Sequence, residues 1–127
     1  MVIFDTSLLV DALIGKRKAI EAIESYRNLE NGWVAAISKY ELLSGKKFSE
    51  QRSMEELFDI LSVYDFGDKE AKVSAEIYKA LKSSGRLIEE ADIMIAGTAI
   101  ANNEKLVTED AGFNAIRKLG YANIVVV

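Results

Sequence analysis

The sequence predicts a single α/β domain in which a central parallel β-sheet is flanked by helices on both faces. Its 127 residues suit one hydrophobic core, and half of them are hydrophobic. Strand-like and helix-like segments alternate along the chain, and several strand-like segments are apolar throughout. Strands of that kind are buried on both faces, as in parallel sheets covered by helices. We therefore expect residues 1–127 to form one domain without a linker.

The first elements follow directly from the start of the chain. Residues 2–5 are apolar up to an aspartate, which predicts a short buried strand. Residues 8–14 continue with apolar side chains and predict a helix, and a polar break begins at Gly15. Apolar residues at helical spacing then predict a second helix over residues 19–29.

The middle of the chain repeats the strand-then-helix order. An Asn-Gly turn signal at residues 31–32 precedes a second apolar strand over residues 33–37. Residues 38–45 predict a short helix that begins at Ser38. Residues 49–61 carry apolar side chains on one face and predict another helix. Residues 63–66 are consistent with either a short strand or a connection.

The last part of the chain alternates helix and strand again. Asp68 has the position of a helix N-cap, and Gly85 lies just past the C-terminal end of that helix. The pattern then predicts an unusually apolar helix over residues 89–102, a strand over 105–108, a helix over 111–119 and a strand over 123–127.

The composition excludes several kinds of active site. The chain has no cysteine and no histidine, which rules out thiolate and imidazole zinc sites and histidine-based triads. Any catalysis must use carboxylates, hydroxyls, amines or a metal held by oxygen ligands. The net charge of -4 argues against a broad basic face for duplex DNA. No apolar run is long enough to span a membrane and no signal-like segment opens the chain, so a cytoplasmic location is expected.

Four acidic residues occupy positions where a carboxylate does not help folding: Asp5, Glu41, Asp92 and Asp110. Asp5 ends the first strand, and Asp110 follows the strand over residues 105–108. Glu41 lies in the first turn after the second strand, and Asp92 interrupts a very apolar helix. Ligands in parallel α/β sheets bind at the carboxyl ends of the strands. The four acids can therefore converge there, although chain direction makes Asp92 the least certain member.

Three of these acids have a simpler explanation as helix caps. Asp5 and Asp110 each precede a predicted helix, and aspartate is a good N-cap. Glu41 follows Ser38 at the capping-box spacing, which favours a structural role. Asp92 has no such alternative, because its neighbours on the helix are apolar on both sides.

A divalent cation is the physical reason for gathering four acids. Mg²⁺ prefers oxygen ligands in an octahedron and keeps several of its waters. Such an ion lowers the pKa of a bound water and neutralises charge on a phosphate, which suits hydrolysis of a phosphodiester without histidine.

The four acidic segments together resemble the motifs of PIN-domain ribonucleases, specifically the VapC-type toxins of prokaryotic toxin–antitoxin pairs. The opening residues 2–11 resemble the first motif, and residues 38–45 resemble the second. Residues 91–96 and 106–113 resemble the third and fourth. The resemblance covers essentially the whole chain in the right order.

The resemblance implies a PIN-like fold and an endoribonuclease that uses Mg²⁺ or Mn²⁺, with these four acids as the catalytic and metal-binding set. It also implies that Thr6 and Thr108 support the carboxylates or their waters. One departure is Gly112, where many relatives carry a further acid, which puts a second metal in doubt. Relatives cleave RNA, form homodimers and are inhibited by a cognate antitoxin protein, and the same partners are expected here.

The residues that contact RNA are harder to identify from the sequence than the four acids. Lys39 and Arg86 are the preferred phosphate contacts because each neighbours a proposed acid. Other basic residues occur at 16–18 and 46–47, and a solvated charged surface explains most of them.

Three other kinds of protein compete with the nuclease hypothesis. A receiver domain also binds Mg²⁺ with acids at strand ends, but it needs an adjacent pair of acids after its first strand, and here that strand ends in one. A haloacid-dehalogenase-type phosphatase needs a second aspartate where this chain has Ser7. A PIN-like module that binds RNA or protein without catalysis stays open, because sequence does not measure turnover.

Overall fold

The computed structural model describes residues 2–26, 32–45 and 51–127, without the side chains of 51–53. Within these residues the chain forms five strands: β1 (Val2–Phe4), β2 (Trp33–Ala35), β3 (Ser62–Tyr64), β4 (Lys105–Thr108) and β5 (Ile124–Val126). The helices are α1 (Thr6–Leu13), α2 (Arg17–Glu24), α3 (Ala36–Leu43), α4 (Gln51–Ile60), α5 (Asp68–Ser83), α6 (Glu90–Ala101) and α7 (Asn114–Arg117), and a 3₁₀ turn spans Ala111–Phe113. The predicted turn at residue 31, the predicted helix end at 29, the predicted helix start at 49 and the lysines at 46–47 lie outside the described residues.

All five strands pair in parallel, in the order β3-β2-β1-β4-β5. The chain extends the sheet from β1 toward β3 and later returns to the other side of β1, so the order reverses between β1 and β4. Phe4 pairs with Val107 across that boundary, and the backbone N–H of Asp5 donates to the Val107 carbonyl at 3.0 Å. The reversal of strand order is the place where open α/β sheets bind ligands.

Helices cover both faces of the sheet, as predicted. Successive strand residues point to opposite faces, so Ile3 and Leu106 join one core while Phe4 and Val107 join the other. The first core is completed by buried residues of α5, α6 and α7, and the second by buried residues of α1, α2 and α4. This two-sided burial explains why the strands are apolar throughout.

Helices α5 and α6 form a closely packed antiparallel pair. Asn102, at the end of α6, donates from Nδ2 to Oε2 of Glu70, at the start of α5, at 2.9 Å. One turn further along the pair, Gly97 faces Ser74, and a Cβ added to this glycine would collide with the serine hydroxyl. The absence of that carbon allows the two helices to approach. In the described part of the chain no helix is both long and apolar enough to cross a membrane.

Several predicted boundaries were wrong, most clearly at the start of α3. This helix begins at Ala36 with Ala35 as its N-cap residue, so Ile37 is helical and Ser38 lies inside the helix. Ile37 is partly buried against the core, and a buried helical residue is indistinguishable from a strand residue by hydrophobicity alone.

Two further elements differ from prediction. Gly67, not Asp68, is the N-cap residue of α5. Its backbone N–H donates to the carboxylate of Glu70 at 3.0 Å. The single helix predicted over residues 111–119 is a 3₁₀ turn followed by the short α7. Residues 63–66 were left open as strand or connection: 63 and 64 belong to β3, whereas 65 and 66 belong to the connection to α5.

Candidate functional site

Asp5 and Asp110 are joined through a threonine at the carboxyl ends of β1 and β4. The hydroxyl of Thr108 donates to Oδ2 of Asp5 at 2.9 Å and accepts the backbone N–H of Asp110 at 3.0 Å. Thr108 is fully buried and Asp5 is 2% exposed. The predicted supporting role of Thr108 therefore has a direct geometric basis, because one hydroxyl positions both acidic residues.

Asp5 does not act as a helix cap. It is the residue before α1, yet its side chain makes no capping hydrogen bond to that helix. The carboxylate instead accepts from Thr108 on the neighbouring strand. A buried carboxylate is costly without donors or a cation, so the position of Asp5 favours a functional role over a capping role.

Glu41 lies on α3 and is tied to the start of α1. The hydroxyl of Thr6 lies 2.8 Å from Oε1 of Glu41 and 2.8 Å from the hydroxyl of Ser38. A carboxylate can only accept, so the Thr6 hydroxyl donates its one proton to Glu41. The hydrogen bond between Thr6 and Ser38 then uses the proton of the Ser38 hydroxyl. The proposed capping box of Ser38 and Glu41 is wrong, because both residues lie within α3.

Asp110 has the capping role that was offered as its alternative. It is the N-cap of the 3₁₀ turn, and its Oδ1 accepts the Gly112 N–H at 2.8 Å. A Cβ at Gly112 would lie 3.0 Å from that same oxygen, so Gly112 packs tightly against Asp110. The carboxylate is nevertheless at the exposed edge of the sheet, and capping leaves its second oxygen available to a ligand.

Asp92 lies in the first turn of α6 and is partly buried. Only residues 102–104 separate α6 from β4, so the helix runs antiparallel to the strand, and its first turn lies toward the carboxyl edge of the sheet. The same helix packs against α3, which carries Glu41, and against β2. Both relations place Asp92 toward the same edge of the sheet as the other three acids. Its role as a ligand stays a prediction.

The donor set fits a hard divalent cation, since it consists of carboxylate and hydroxyl oxygens. Glu109, between Thr108 and Asp110, also has a buried Oε1 without a hydrogen-bond partner among the described residues. Over those same residues, however, no group of three acids stands close enough together to hold a metal ion. Metal binding by these acids would therefore require their side chains to move closer together.

Sequence reasoning missed a second acidic pair at the same place. The carboxyl groups of Asp11, on α1, and Glu109 lie close to each other. Their interaction, together with burial, raises the pKa of Glu109 to about 7. The interaction with Glu109 and the contact with Lys16, whose Nζ lies 3.2 Å from Oδ1, lower the pKa of Asp11. The only sequence signal was an acid next to an acid, which usually indicates solvent exposure.

The proposed RNA contacts occupy different settings. Lys39 is partly buried, and its Nζ lies 5.1 Å from the centroid of the Phe58 ring, a distance at which a cation–π interaction forms. Arg86 is exposed in the connection that leads to the first turn of α6. Lys16 and Lys18 lie near enough to Glu109 to oppose the rise in its pKa, which places the basic turn after α1 beside the acidic edge.

A family model and the curated relatives of the chain indicate the same family. A model of the PIN domain matches residues 2–119. The chain is 29% identical to Ribonuclease VapC19 of Mycobacterium tuberculosis over 109 residues, which cover 85% of this chain and 87% of that protein. It is also 29% identical to Ribonuclease VapC1 of Methanocaldococcus jannaschii over 121 residues, covering 94% of this chain and 83% of that protein.

Solved structures share the fold. A toxin–antitoxin complex from Klebsiella pneumoniae matches with a TM-score of 0.79 at 20% identity, covering 99% of this chain and 97% of that one. DNA-bound VapBC from Salmonella typhimurium matches with a TM-score of 0.80 at 21% identity, covering 99% and 98%. At these identities the likeness concerns the fold.

Proposed function

Because the chain belongs to the PIN-domain family, we propose that it is a metal-dependent endoribonuclease that cleaves single-stranded or loop RNA. The observation that carries this proposal is the buried carboxylate of Asp5, held by Thr108 at the point where the strand order reverses. The curated relatives are named as ribonucleases and match most of the chain. We take residues 1–127 to form one PIN domain.

Asp5, Asp92 and Asp110 would hold the cation, Mg²⁺ or Mn²⁺, and Glu41 would ligate it through water or orient the attacking water. When bound, the ion supplies charge neutralisation at the phosphate and acidifies a water. The chain itself supplies orientation. Thr108 fixes Asp5 with one hydrogen bond, and Thr6 does the same for Glu41. Supporting contacts of this type commonly hold carboxylates in place around metals.

The RNA backbone would be bound by local basic residues, because the net charge of the chain is negative. Lys39 and Arg86 remain the preferred contacts. Arg86 is supported by its exposure next to the start of α6. For Lys39, a phosphate contact would have to compete with the Phe58 ring.

We also propose that the protein is the toxin of a toxin–antitoxin pair, acts in the cytoplasm and forms a homodimer. The first part is supported by the toxin–antitoxin complex that shares its fold. The antitoxin would bind in an apolar cavity of about 360 Å³ between α1, α2 and α4. Grooves of this kind accept the apolar face of a helix. The cavity is lined by Leu9, Ala12, Leu13, Ile20, Ile23, Glu24, Glu56, Leu57 and Ile60.

The decisive experiment compares wild type with Asp92→Asn on a structured RNA in the presence of Mg²⁺, Mn²⁺ or EDTA. We expect cleavage by wild type with either ion, none in EDTA, and at least a hundredfold loss in the variant. The exposed Asp68→Asn variant is the matched control and should cleave as wild type does. Metal-independent cleavage, or full activity of Asp92→Asn, would overturn the mechanism. RNA binding without cleavage would indicate an inactive binding module instead.

A further inference from the structure

Tyr40 presents an aromatic ring to solvent beside the proposed site. Its side chain is 60% exposed, more than any other large hydrophobic side chain that the structure describes. The next residue along α3 is Glu41, whose Oε1 lies 2.8 Å from the Thr6 hydroxyl. A large ring left in water contributes nothing to the hydrophobic core, so the fold gives no reason for an aromatic residue at this position.

The neighbours of Tyr40 fix the direction of its side chain. Ser38 and Leu42 are fully buried beneath the helix. Glu41 is bonded to the start of α1 on one side, and Lys39 lies over an aromatic ring of α4 on the other. Successive residues of a helix are turned by about 100°. Tyr40 therefore stands on the outer face of α3, one step around the helix from Glu41.

Leu43 enlarges the surface that Tyr40 offers. It is 45% exposed and follows Tyr40 by three residues, the spacing at which side chains on one helix face are neighbours. An interface between two proteins buries about 800 Å² on each partner, whereas one aromatic side chain buries about 150–250 Å². This pair is therefore too small to hold a second copy of the chain by itself, but it matches a flat ring such as a nucleobase.

The proposed substrate supplies such rings. The bases of single-stranded RNA are unpaired, and proteins hold them by stacking them on aromatic side chains. A phosphate bound at the acidic edge lies close to Glu41, so a flanking base can reach the outer face of α3. The net charge of -4 makes ionic contacts with RNA scarce, and a stacking contact adds affinity without them.

We propose that Tyr40 is a substrate-binding residue, whose ring stacks on an RNA base next to the scissile phosphate. This inference rests on the proposed nuclease function and deepens it by naming the contact that selects unpaired RNA. The contact depends on the ring and not on the phenol hydroxyl. Phenylalanine should therefore replace Tyr40, whereas alanine should not.

The test measures binding of a fluorescein-labelled oligoadenylate by fluorescence anisotropy, in EDTA, where the proposed nuclease does not cleave. We expect Tyr40→Ala to weaken binding about 5- to 100-fold, the range that the loss of one stacking contact produces. Tyr40→Phe should stay within about threefold of wild type, because it keeps the ring. Ile14→Ala is the matched control, since it removes a side chain that is 55% exposed at the end of α1, and it should bind as wild type does.

An abasic RNA of the same length separates stacking from every other effect of the substitution. It keeps the phosphates but has no bases, so wild type and Tyr40→Ala should bind it within about twofold of each other. The inference is overturned if Tyr40→Ala binds oligoadenylate as wild type does, if it weakens binding to both RNAs equally, or if wild type binds neither.

Sedimentation velocity tests the other occupant of this surface. Wild type and Tyr40→Ala should have the same mass, and a lower mass for the variant would overturn the inference by assigning the ring to an interface between two copies. A wild-type protein that binds RNA but does not cleave it with Mg²⁺ would instead refute the proposed function. The binding series would still decide whether Tyr40 stacks on a base.

Discussion

The hydroxyl of Thr108 donates to the carboxylate of Asp5 at 2.9 Å and joins residues that lie 103 positions apart in the chain. The same oxygen accepts the N–H of Asp110, so its hydrogen-bonding capacity serves two acids at once. The site thus depends on a neutral residue as much as on its carboxylates.

Replacing Thr108 with valine should destabilise the protein by about 2 kcal/mol, because the buried carboxylate of Asp5 loses a donor. Urea unfolding would measure the loss. Thr108→Ser keeps the hydroxyl and should cost less. Thr98→Val is a matched control, since the hydroxyl of this buried threonine donates to the Met94 carbonyl of its own helix. Equal losses for the two valine variants would contradict the special role of Thr108.

The Thr6 hydroxyl should matter more for catalysis than for stability. Thr6→Val removes a hydrogen bond that orients the Glu41 carboxylate, and we expect a tenfold or greater loss of kcat in RNA cleavage. Thr6→Ser should retain most of the activity because it restores the donor. If the serine and valine variants are equally slow, the methyl group rather than the hydroxyl carries the effect.

Gly97→Ala should destabilise the protein by about 1–3 kcal/mol. Helix propensity alone predicts the opposite sign, since alanine is favoured over glycine by about 1 kcal/mol inside a helix. The added carbon would collide with the Ser74 hydroxyl and lie 3.0 Å from its Cβ, which forces α5 and α6 apart. A rise in the melting temperature would show that the helices can separate without cost.

Glu109 should make stability fall as pH rises through neutrality. Its pKa is raised from 4.5 to about 7 in the folded protein, so between these values the folded state binds more protons than the unfolded state. The associated stability is complete below the unfolded pKa and is lost as pH rises through 7. Asp11, whose pKa is lowered, acts in the opposite direction at more acidic pH.

The comparison for this prediction is wild type against Glu109→Gln, unfolded in urea at intervals from pH 5 to pH 8. The stability advantage of wild type over the variant should shrink steadily across that range. A constant difference would mean that Glu109 does not carry the proton.

Mg²⁺ or Mn²⁺ should raise the melting temperature of the wild-type protein. A ligand that binds only the folded state at about 100 times its dissociation constant adds about 2.7 kcal/mol. Asp5→Asn should abolish the increase, whereas Asp68→Asn should show it in full. An undiminished shift in Asp5→Asn would place the cation elsewhere on the protein.

The fold could be predicted because strands that are buried on both sheet faces are apolar throughout, and this pattern is visible in the sequence. Predicted element boundaries were wrong where the hydrophobic pattern fits both a strand and a helix. Ile37, for example, is buried in a helix but continues an apolar strand. Asp5 and Asp92 could be singled out as candidates from the sequence, since a carboxylate beside Phe4 or Ile93 has few structural uses.

The contacts that join those acids could not be predicted, because they depend on distant pairs. Nothing in the sequence near Glu109 indicates Asp11 as its partner. Gly112 was interpreted as the position of a missing acid, and its close approach to Asp110 could not be predicted from the sequence.

The separation of Asp5 from Thr108 has a consequence for biosynthesis. Domains tend to fold as units while the chain emerges from the ribosome. Here β1 leaves before β4, and the two partners Asp5 and Thr108 are 103 positions apart. A nascent chain therefore cannot complete the proposed site until β4 has been made.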